Sequence, residues 1–87
     1  MYVIIAYDVS VERVNKVKKY LRTQLTWVQN SLFEGELTDS RYMKIKSELE
    51  KLIETSDNIA IYKFQNKNFL ERIDLGTKKG DPEEIIF

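Results

Sequence analysis

The chain has 87 residues, 43% hydrophobic and 32% charged, and its 14 Lys and Arg balance 14 Asp and Glu. This length fits a single small domain, 1–87, whose modest core would gain from a further apolar interface. The chain contains neither Cys nor His, which excludes disulfides, thiolate nucleophiles, zinc–thiolate sites and imidazole catalysis. Any hydrolysis therefore depends on carboxylates, Lys, Tyr or a hard cation held by oxygen ligands.

Charge is unevenly divided along the chain. Up to Phe33 there are five basic and two acidic residues, a net charge of +3, and the remaining nine basic and twelve acidic residues give −3. A basic first third suits a polyanion-binding face, and an ordinary solvated helix face explains the same charges equally well.

The sequence lacks the signals of a membrane or exported protein. No apolar run approaches the roughly 18–20 residues that span a bilayer. The opening residues also lack the basic start and the small-residue cleavage site of a signal peptide. We therefore expect a cytoplasmic protein with no membrane partner.

The first half of the chain predicts a strand, a helix and a strand pair. Tyr2 to Tyr7 is apolar throughout and β-branched in its centre, which is typical of a central strand covered on both faces. From Val11 to Leu25 apolar residues recur every three or four positions, which predicts a helix with Ser10 as its N-cap. Trp27 to Leu37 predicts two strands joined tightly near Gln29-Asn30-Ser31.

The second half predicts a helix and a strand. Thr38-Asp39 opens a helix whose apolar positions recur at three, four and seven, and residues 55–58 end it. Ile59 to Phe64 follows as the fourth strand. This order predicts an α+β, ferredoxin-like βαββαβ fold, with a four-stranded antiparallel sheet and both helices on one face. Right-handed crossovers place the strands from Tyr2 and from Ser31 in the middle of the sheet.

The C-terminal residues predict one more strand. Ile85, Ile86 and Phe87 are too apolar for a free end. We expect residues 81–87 to pair with the edge of the chain's own sheet or of a partner's sheet, which would place these three residues in a homodimer interface.

Asp8 is the candidate catalytic and metal-binding residue. It ends the most hydrophobic strand and precedes a strand-to-helix turn, where a rigid support projects a carboxylate into solvent. Capping of the following helix is its alternative role. One carboxylate cannot hold Mg²⁺ tightly, because that ion prefers about six oxygen ligands. Two Asp8 side chains facing each other across a twofold axis could share one Mg²⁺ and activate a water for attack on a phosphodiester.

Other side chains are candidates for contact with nucleic acid. The basic residues of the first helix that could contact phosphates are Arg13, Lys16, Lys19 and Arg22. Phe33 and Trp27 could stack on nucleobases, although packing in the core is the more frequent role of aromatics in so small a domain. Tyr7 is most simply a core or interface aromatic.

The opening MYVIIAYDV, the Arg13-Val14 pair, the segment WVQNSLFEG and the apolar C-terminal strand together resemble the CRISPR-associated Cas-two (Cas2) family. The resemblance covers nearly the whole chain, and the VQNSLFEG run after a strand-ending Tyr-Asp is its most specific element. It implies a ferredoxin-like homodimer whose C-terminal strands complete the partner's sheet. It also implies that the dimer binds double-stranded DNA and bridges the Cas-one integrase during spacer acquisition. Members are described as metal-dependent nucleases acting on single-stranded RNA or double-stranded DNA.

When the functional residues of the family are carried over by position, the resemblance implies that Asp8 is the Mg²⁺ ligand. The nucleic-acid-binding residues, which combine this carry-over with the helix lysines, are Tyr7, Arg13, Lys16, Lys19, Ser31 and Phe33. Many members have Arg where this chain has Trp27, and this departure removes the basis for a phosphate contact at that position.

The residues leave two main functions open. One is a metal-dependent phosphodiesterase built on paired Asp8. The other, which we favour, is a non-catalytic dimer whose basic helices bind DNA while its acidic C-terminal region docks the integrase. A ribonuclease toxin of the virulence-associated D type would share the fold and use the same Asp. Regulatory domains of this fold usually have Gly-rich loops, and RNA-recognition modules need paired aromatic motifs that Tyr7 and Phe33 do not reproduce.

Overall fold

The six predicted elements are all present in the computed structural model, which describes residues 1–77 and 79. In chain order they are β1 (Tyr2–Asp8), α1 (Val11–Gln24), β2 (Thr26–Gln29), β3 (Leu32–Glu36), α2 (Asp39–Leu52) and β4 (Asn58–Phe64). A short 3-10 helix, Lys67–Phe69, follows β4. The strands are antiparallel in the order β2-β3-β1-β4. The predicted ferredoxin-like fold is confirmed, and the predicted strand at 81–87 lies outside the described residues.

The core lies between the two helices and one face of the sheet. Along β1 the side chains of Val3, Ile5 and Tyr7 enter it, because successive residues of a strand point to opposite faces. Its fully buried centre consists of Val3, Ile5, Val17, Leu21, Phe33 and Ile45. Each helix has 14 residues, and no helix in the described part of the chain is both long and apolar enough to cross a membrane.

The opposite side of the sheet, which we call the open face, is only partly covered. It carries Ile4 and Ala6 of β1, which lie beside Tyr62 and Ala60 of β4 in the register. Tyr62 is 56% exposed. The prediction that β1 is covered on both faces is therefore wrong for the single chain, because both helices pack on the same side.

Residues 70–74 lie against the other half of the open face. Arg72 joins Glu34 of β3 through its Nη1 at 3.2 Å and Asp74 through its Nε at 3.2 Å. The segment borders a cavity of about 340 Å³ whose other walls include Ile4 and Val28. Residues 70–74 therefore cover the open face mainly on its β2–β3 side.

The turn between β2 and β3 lies where the sequence predicted it. Asn30 has a φ of 41°, in the left-handed region that Asn tolerates better than most residues. The backbone carbonyl of Asn30 accepts a hydrogen bond from Nε1 of Trp27 at 2.9 Å. The half-buried Trp27 therefore supports the turn.

Both helices begin at the predicted residues, but their starts are held differently. The hydroxyl of Thr38 accepts the N–H of Arg41 at 3.1 Å, which caps α2. Ser10 has the extended backbone of an N-cap, yet its hydroxyl makes no capping bond. Instead, the backbone N–H of Ser10 donates to Oδ1 of Asp57 at 3.0 Å. The start of α1 is thus held by a side chain from the α2–β4 loop.

Asp57 lies at the centre of a group of polar residues, Ser10, Arg13, Glu54 and Asp57, which we call the Asp57 cluster. Its Oδ1 also accepts from Nη2 of Arg13 at 3.0 Å. Its Oδ2 accepts from Nε of Arg13 at 2.7 Å and from the backbone N–H of Glu54 at 2.9 Å. The hydrogen bonds from Arg13, the Glu54 backbone and the Ser10 backbone outweigh desolvation and hold the pKa of Asp57 well below its ordinary value of 3.8.

The Asp57 cluster should make the protein sensitive to acid. Because the folded-state pKa of Asp57 is depressed, its ionised form contributes stability above the ordinary pKa, and this is lost as the pH falls toward the folded-state value. The free energy of unfolding of the wild type, measured by urea titration between about pH 7 and pH 2.5, should therefore fall more steeply with acid than that of Asp57→Asn. Thr38→Ala, which removes a cap without removing a titratable group, should keep the wild-type slope. Equal acid slopes in the wild type and Asp57→Asn would contradict this role.

Candidate functional site

Asp8 is the last residue of β1, and its side chain is exposed. It pairs in register with Asn58, the first residue of β4. Strand alternation puts its side chain on the same side of the sheet as Ile4 and Ala6. A carboxylate therefore lies at the rim of the open face, at the end of a central strand.

The backbone around Asp8 is held from both neighbouring strands. On one side, the N–H of Tyr7 donates to the carbonyl oxygen of Ser31 in the β2–β3 turn at 3.0 Å. On the other side, Asp8 pairs with Asn58. The half-buried Ser31, predicted to contact nucleic acid, thus has a backbone role in the structure. A carboxylate on so fixed a backbone is suited to a site that requires defined geometry.

Tyr7 and Phe33 lie in the core beneath this site. Their exposed fractions are 6% and 0%, and their ring centroids are 6.1 Å apart. Burial raises the pKa of the Tyr7 hydroxyl. Both rings are buried and offer no free face in this structure, and the predicted nucleic-acid contacts of these two residues stay a prediction. Their contribution is to anchor β1 and β3 below Asp8.

Arg13 has a structural role in the fold. Its Nε and Nη2 donate to Asp57, and its Nη1 donates to Oε2 of Glu54 at 3.0 Å. These bonds use three of the five N–H groups of the guanidinium and join α1 to the α2–β4 loop. A phosphate contact through the remaining two N–H groups stays a prediction.

The cations further along α1 have the exposure expected of phosphate contacts. Lys16, Lys19 and Arg22 are exposed. Within residues 1–77 and 79, none of the three forms an ion pair with an acidic side chain. They form a basic row along α1, and whether this row binds nucleic acid stays a prediction.

The donor set of a single chain fits Mg²⁺ only in part. Asp8 offers the hard oxygen ligand that this ion prefers. No group of three Asp, Glu, His or Cys side chains with metal-binding geometry occurs in the described residues. One chain therefore provides one exposed carboxylate, and a two-carboxylate site requires a second copy.

The sequence pattern does not predict the contact of Arg13 with Asp57 and Glu54. Asp57 falls in the break between α2 and β4, and it lies 44 positions from Arg13 in the chain. The sequence offers only two signals of this contact, an acidic residue just before an apolar strand and a lone Arg at the start of a helix. Neither signal links the two residues, because their contact exists only once β1 and β4 pair.

Comparison with known proteins supports one family. Residues 1–72 match the family model described as CRISPR associated protein Cas2. The CRISPR-associated endoribonuclease Cas2 of Methanosarcina acetivorans is 55% identical over 87 residues, covering 99% of this chain and 100% of that protein. The protein of the same description from Pyrococcus furiosus is 53% identical over 87 residues, with the same coverage.

Solved structures agree with this assignment. A crystal structure titled as cas2 superposes with a TM-score of 0.87 at 44% identity, covering 99% of this chain and 98% of its own. Cas2 of Streptococcus pyogenes superposes with a TM-score of 0.70 at 30% identity, covering 85% of this chain and all of its own. The chain, with its ferredoxin-like sheet and its strand-ending Asp8, therefore belongs to the Cas2 family of CRISPR-associated proteins.

Proposed function

We propose that this chain is a nuclease of a CRISPR system that works as a homodimer, in which the two Asp8 carboxylates hold one Mg²⁺ and phosphodiester bonds are hydrolysed. The observation that carries the proposal is the exposed carboxylate on a rigid strand end, in a chain with neither His nor Cys. The relatives are named as endoribonucleases, and these names support RNA as the substrate. Double-stranded DNA is the second substrate class to test.

The chemistry follows from what Asp8 offers. One carboxylate from each copy would hold the metal, and waters would fill the remaining positions that Mg²⁺ requires. The bound ion would polarise a phosphoryl oxygen and make a water more acidic, so that the water could attack without an imidazole general base. The contribution of the chain is to present Asp8 on a backbone that is held by Ser31 on one side and by Asn58 on the other.

The open face is the proposed contact between the two copies. It is apolar around Ile4, Ala6 and Ala60, and Tyr62 is 56% exposed on it. A chain of this size buries only a modest fraction of its surface alone, so covering such a face adds stability. Because Asp8 lies at the rim of the same face, a twofold axis that passes near Asp8 would bring its two copies together. Ile85, Ile86 and Phe87 are proposed to extend the interface through the partner's sheet edge.

Binding without cleavage is the second candidate function. The exposed row of Lys16, Lys19 and Arg22 on α1 favours it. A dimer would present two such rows to the phosphates of double-stranded DNA. In this role the dimer would bind DNA and bridge the Cas-one integrase during spacer acquisition.

Replacement of the candidate metal ligand tests the nuclease. Asp8→Asn should reduce Mg²⁺-dependent cleavage of single-stranded RNA or double-stranded DNA by about 100-fold or more, because metal-based charge stabilisation contributes several kcal/mol. Glu50→Gln, which removes an exposed carboxylate from α2, should cleave like the wild type. Undiminished cleavage by rigorously purified Asp8→Asn would sink the assignment.

The dimer contact is tested by a pair of substitutions at similarly exposed residues. Tyr62→Arg places a charge on the open face, whereas Met43→Arg places one on α2, where the wild-type residue is 59% exposed. Sedimentation equilibrium should show that Tyr62→Arg weakens dimerisation by about tenfold or more, since a desolvated, unpaired charge is costly. Met43→Arg should leave it unchanged. If both variants dimerise like the wild type, the open face is not the interface.

Charge reversal on α1 tests the nucleic-acid surface. Lys16→Glu with Lys19→Glu should weaken binding to double-stranded DNA and reduce the slope of log affinity against log salt by about two for each protomer that binds. Lys44→Glu with Lys46→Glu makes the same charge change on exposed positions of α2 and should leave the slope near that of the wild type. Equal slopes for the two double variants would mean that α1 is not the binding surface.

A further inference from the structure

Asp57 is connected to Asp8 by two short backbone routes. Its neighbour in the chain, Asn58, pairs with Asp8 across β1 and β4. Ser10, two residues after Asp8, donates its N–H to Oδ1 of Asp57 at 3.0 Å. The first route starts from the backbone of Asp57 and the second from its carboxylate, so a displacement of Asp57 reaches Asp8 from its cross-strand partner and from the following loop.

The carboxylate of Asp57 makes all the contacts that its chemistry allows. It accepts four hydrogen bonds, two on each oxygen, from Ser10, Arg13 and Glu54. Four bonds use its full acceptor capacity. Its side chain is 2% exposed, so no solvent competes for these bonds. Asp57 is therefore unavailable as a metal ligand, and its influence on the site passes through the backbone.

The Asp57 cluster lies outside the apolar core. None of its four residues belongs to the buried hydrophobic core. The side chain of Glu54 is 68% exposed. The elements that it joins are the β1–α1 loop, the first turn of α1 and the α2–β4 loop. A loss of the cluster is thus expected to act first on the loop that follows Asp8, while the core remains packed.

We infer that Asp57 is a positioning residue for Asp8, which it holds in the geometry that paired metal binding requires. The inference rests on the proposed function of Asp8 as a metal ligand. Shared coordination demands that each carboxylate stay within about 0.5 Å of its productive place. A backbone free to shift at Ser10 and Asn58 would exceed that tolerance in both copies of a dimer.

Asp57→Asn tests the inference, because the amide keeps the size of the side chain but turns one acceptor into a donor that faces the Arg13 or backbone N–H groups. Mn²⁺ is the probe, and its binding to the full-length protein is followed by the loss of the free-ion electron paramagnetic resonance signal. We expect Asp57→Asn to bind Mn²⁺ at least tenfold more weakly than the wild type. In the metal-free protein, the amide resonances of Asp8 and Ser10 should shift. In cleavage of single-stranded RNA, kcat should fall while KM stays the same.

Thr38→Ala is the matched control. It also loosens the start of a helix, since it removes the capping bond to Arg41, but it acts near Met1, at the opposite end of β1 from Asp8. This variant should lower the melting temperature while Mn²⁺ affinity stays within twofold of the wild type. Wild-type Mn²⁺ affinity in Asp57→Asn, or an equal loss of affinity in both variants, would overturn the positioning role.

Two further variants separate the possible failures. If Asp8→Asn binds Mn²⁺ like the wild type, the proposed metal site itself fails. If Asp8→Asn loses Mn²⁺ and Asp57→Asn does not, only the positioning role fails. Should Asp57→Asn not fold, Arg13→Lys gives the same comparison, because it keeps the charge pair but loses the planar fork. The expected loss of Mn²⁺ affinity is then smaller, at several-fold, and an unchanged affinity overturns the inference.

Discussion

The alternation of side chains along β1 sets the position of the core, of the open face and of Asp8. Val3, Ile5 and Tyr7 point into the core beneath the helices, and Ile4 and Ala6 consequently point the other way. Because both helices pack on one side, the second set stays open to a further partner. The same alternation brings Asp8 out on the open face, so one strand supports the core, offers an apolar surface and ends in an available carboxylate.

Two aspartates near the end of β1 show how environment separates structural from functional carboxylates. The Asp57 side chain is 2% exposed and accepts four hydrogen bonds, which lower its pKa and leave no position for a metal. Asp8 is exposed, on a strand whose backbone is held on both sides. The two residues have the same side chain, and its exposure and the hydrogen-bond donors around it distinguish a structural link from a candidate ligand.

Residues that the family resemblance grouped together take different places in the fold. Tyr7 and Phe33 fill the core, Ser31 contributes a backbone carbonyl, and Arg13 is held by acidic side chains. In this structure the residues of the motif therefore have packing and backbone roles. In the described part of the chain, the predicted phosphate contacts that are both exposed and free of ion pairs are Lys16, Lys19 and Arg22.

Local patterns in the chain are sufficient to predict the six elements, their order, the helix starts at Ser10 and Thr38 and the turn at Asn30, because periodicity and turn chemistry act over a few residues. They also identify Asp8, which ends an apolar strand. The contact of Arg13 with Asp57, 44 residues away, and the complete burial of Phe33 arise only in the folded chain. Ion pairs and burial of this kind depend on which strands become neighbours, and no spacing within the chain encodes the distance between two side chains that strand pairing brings together.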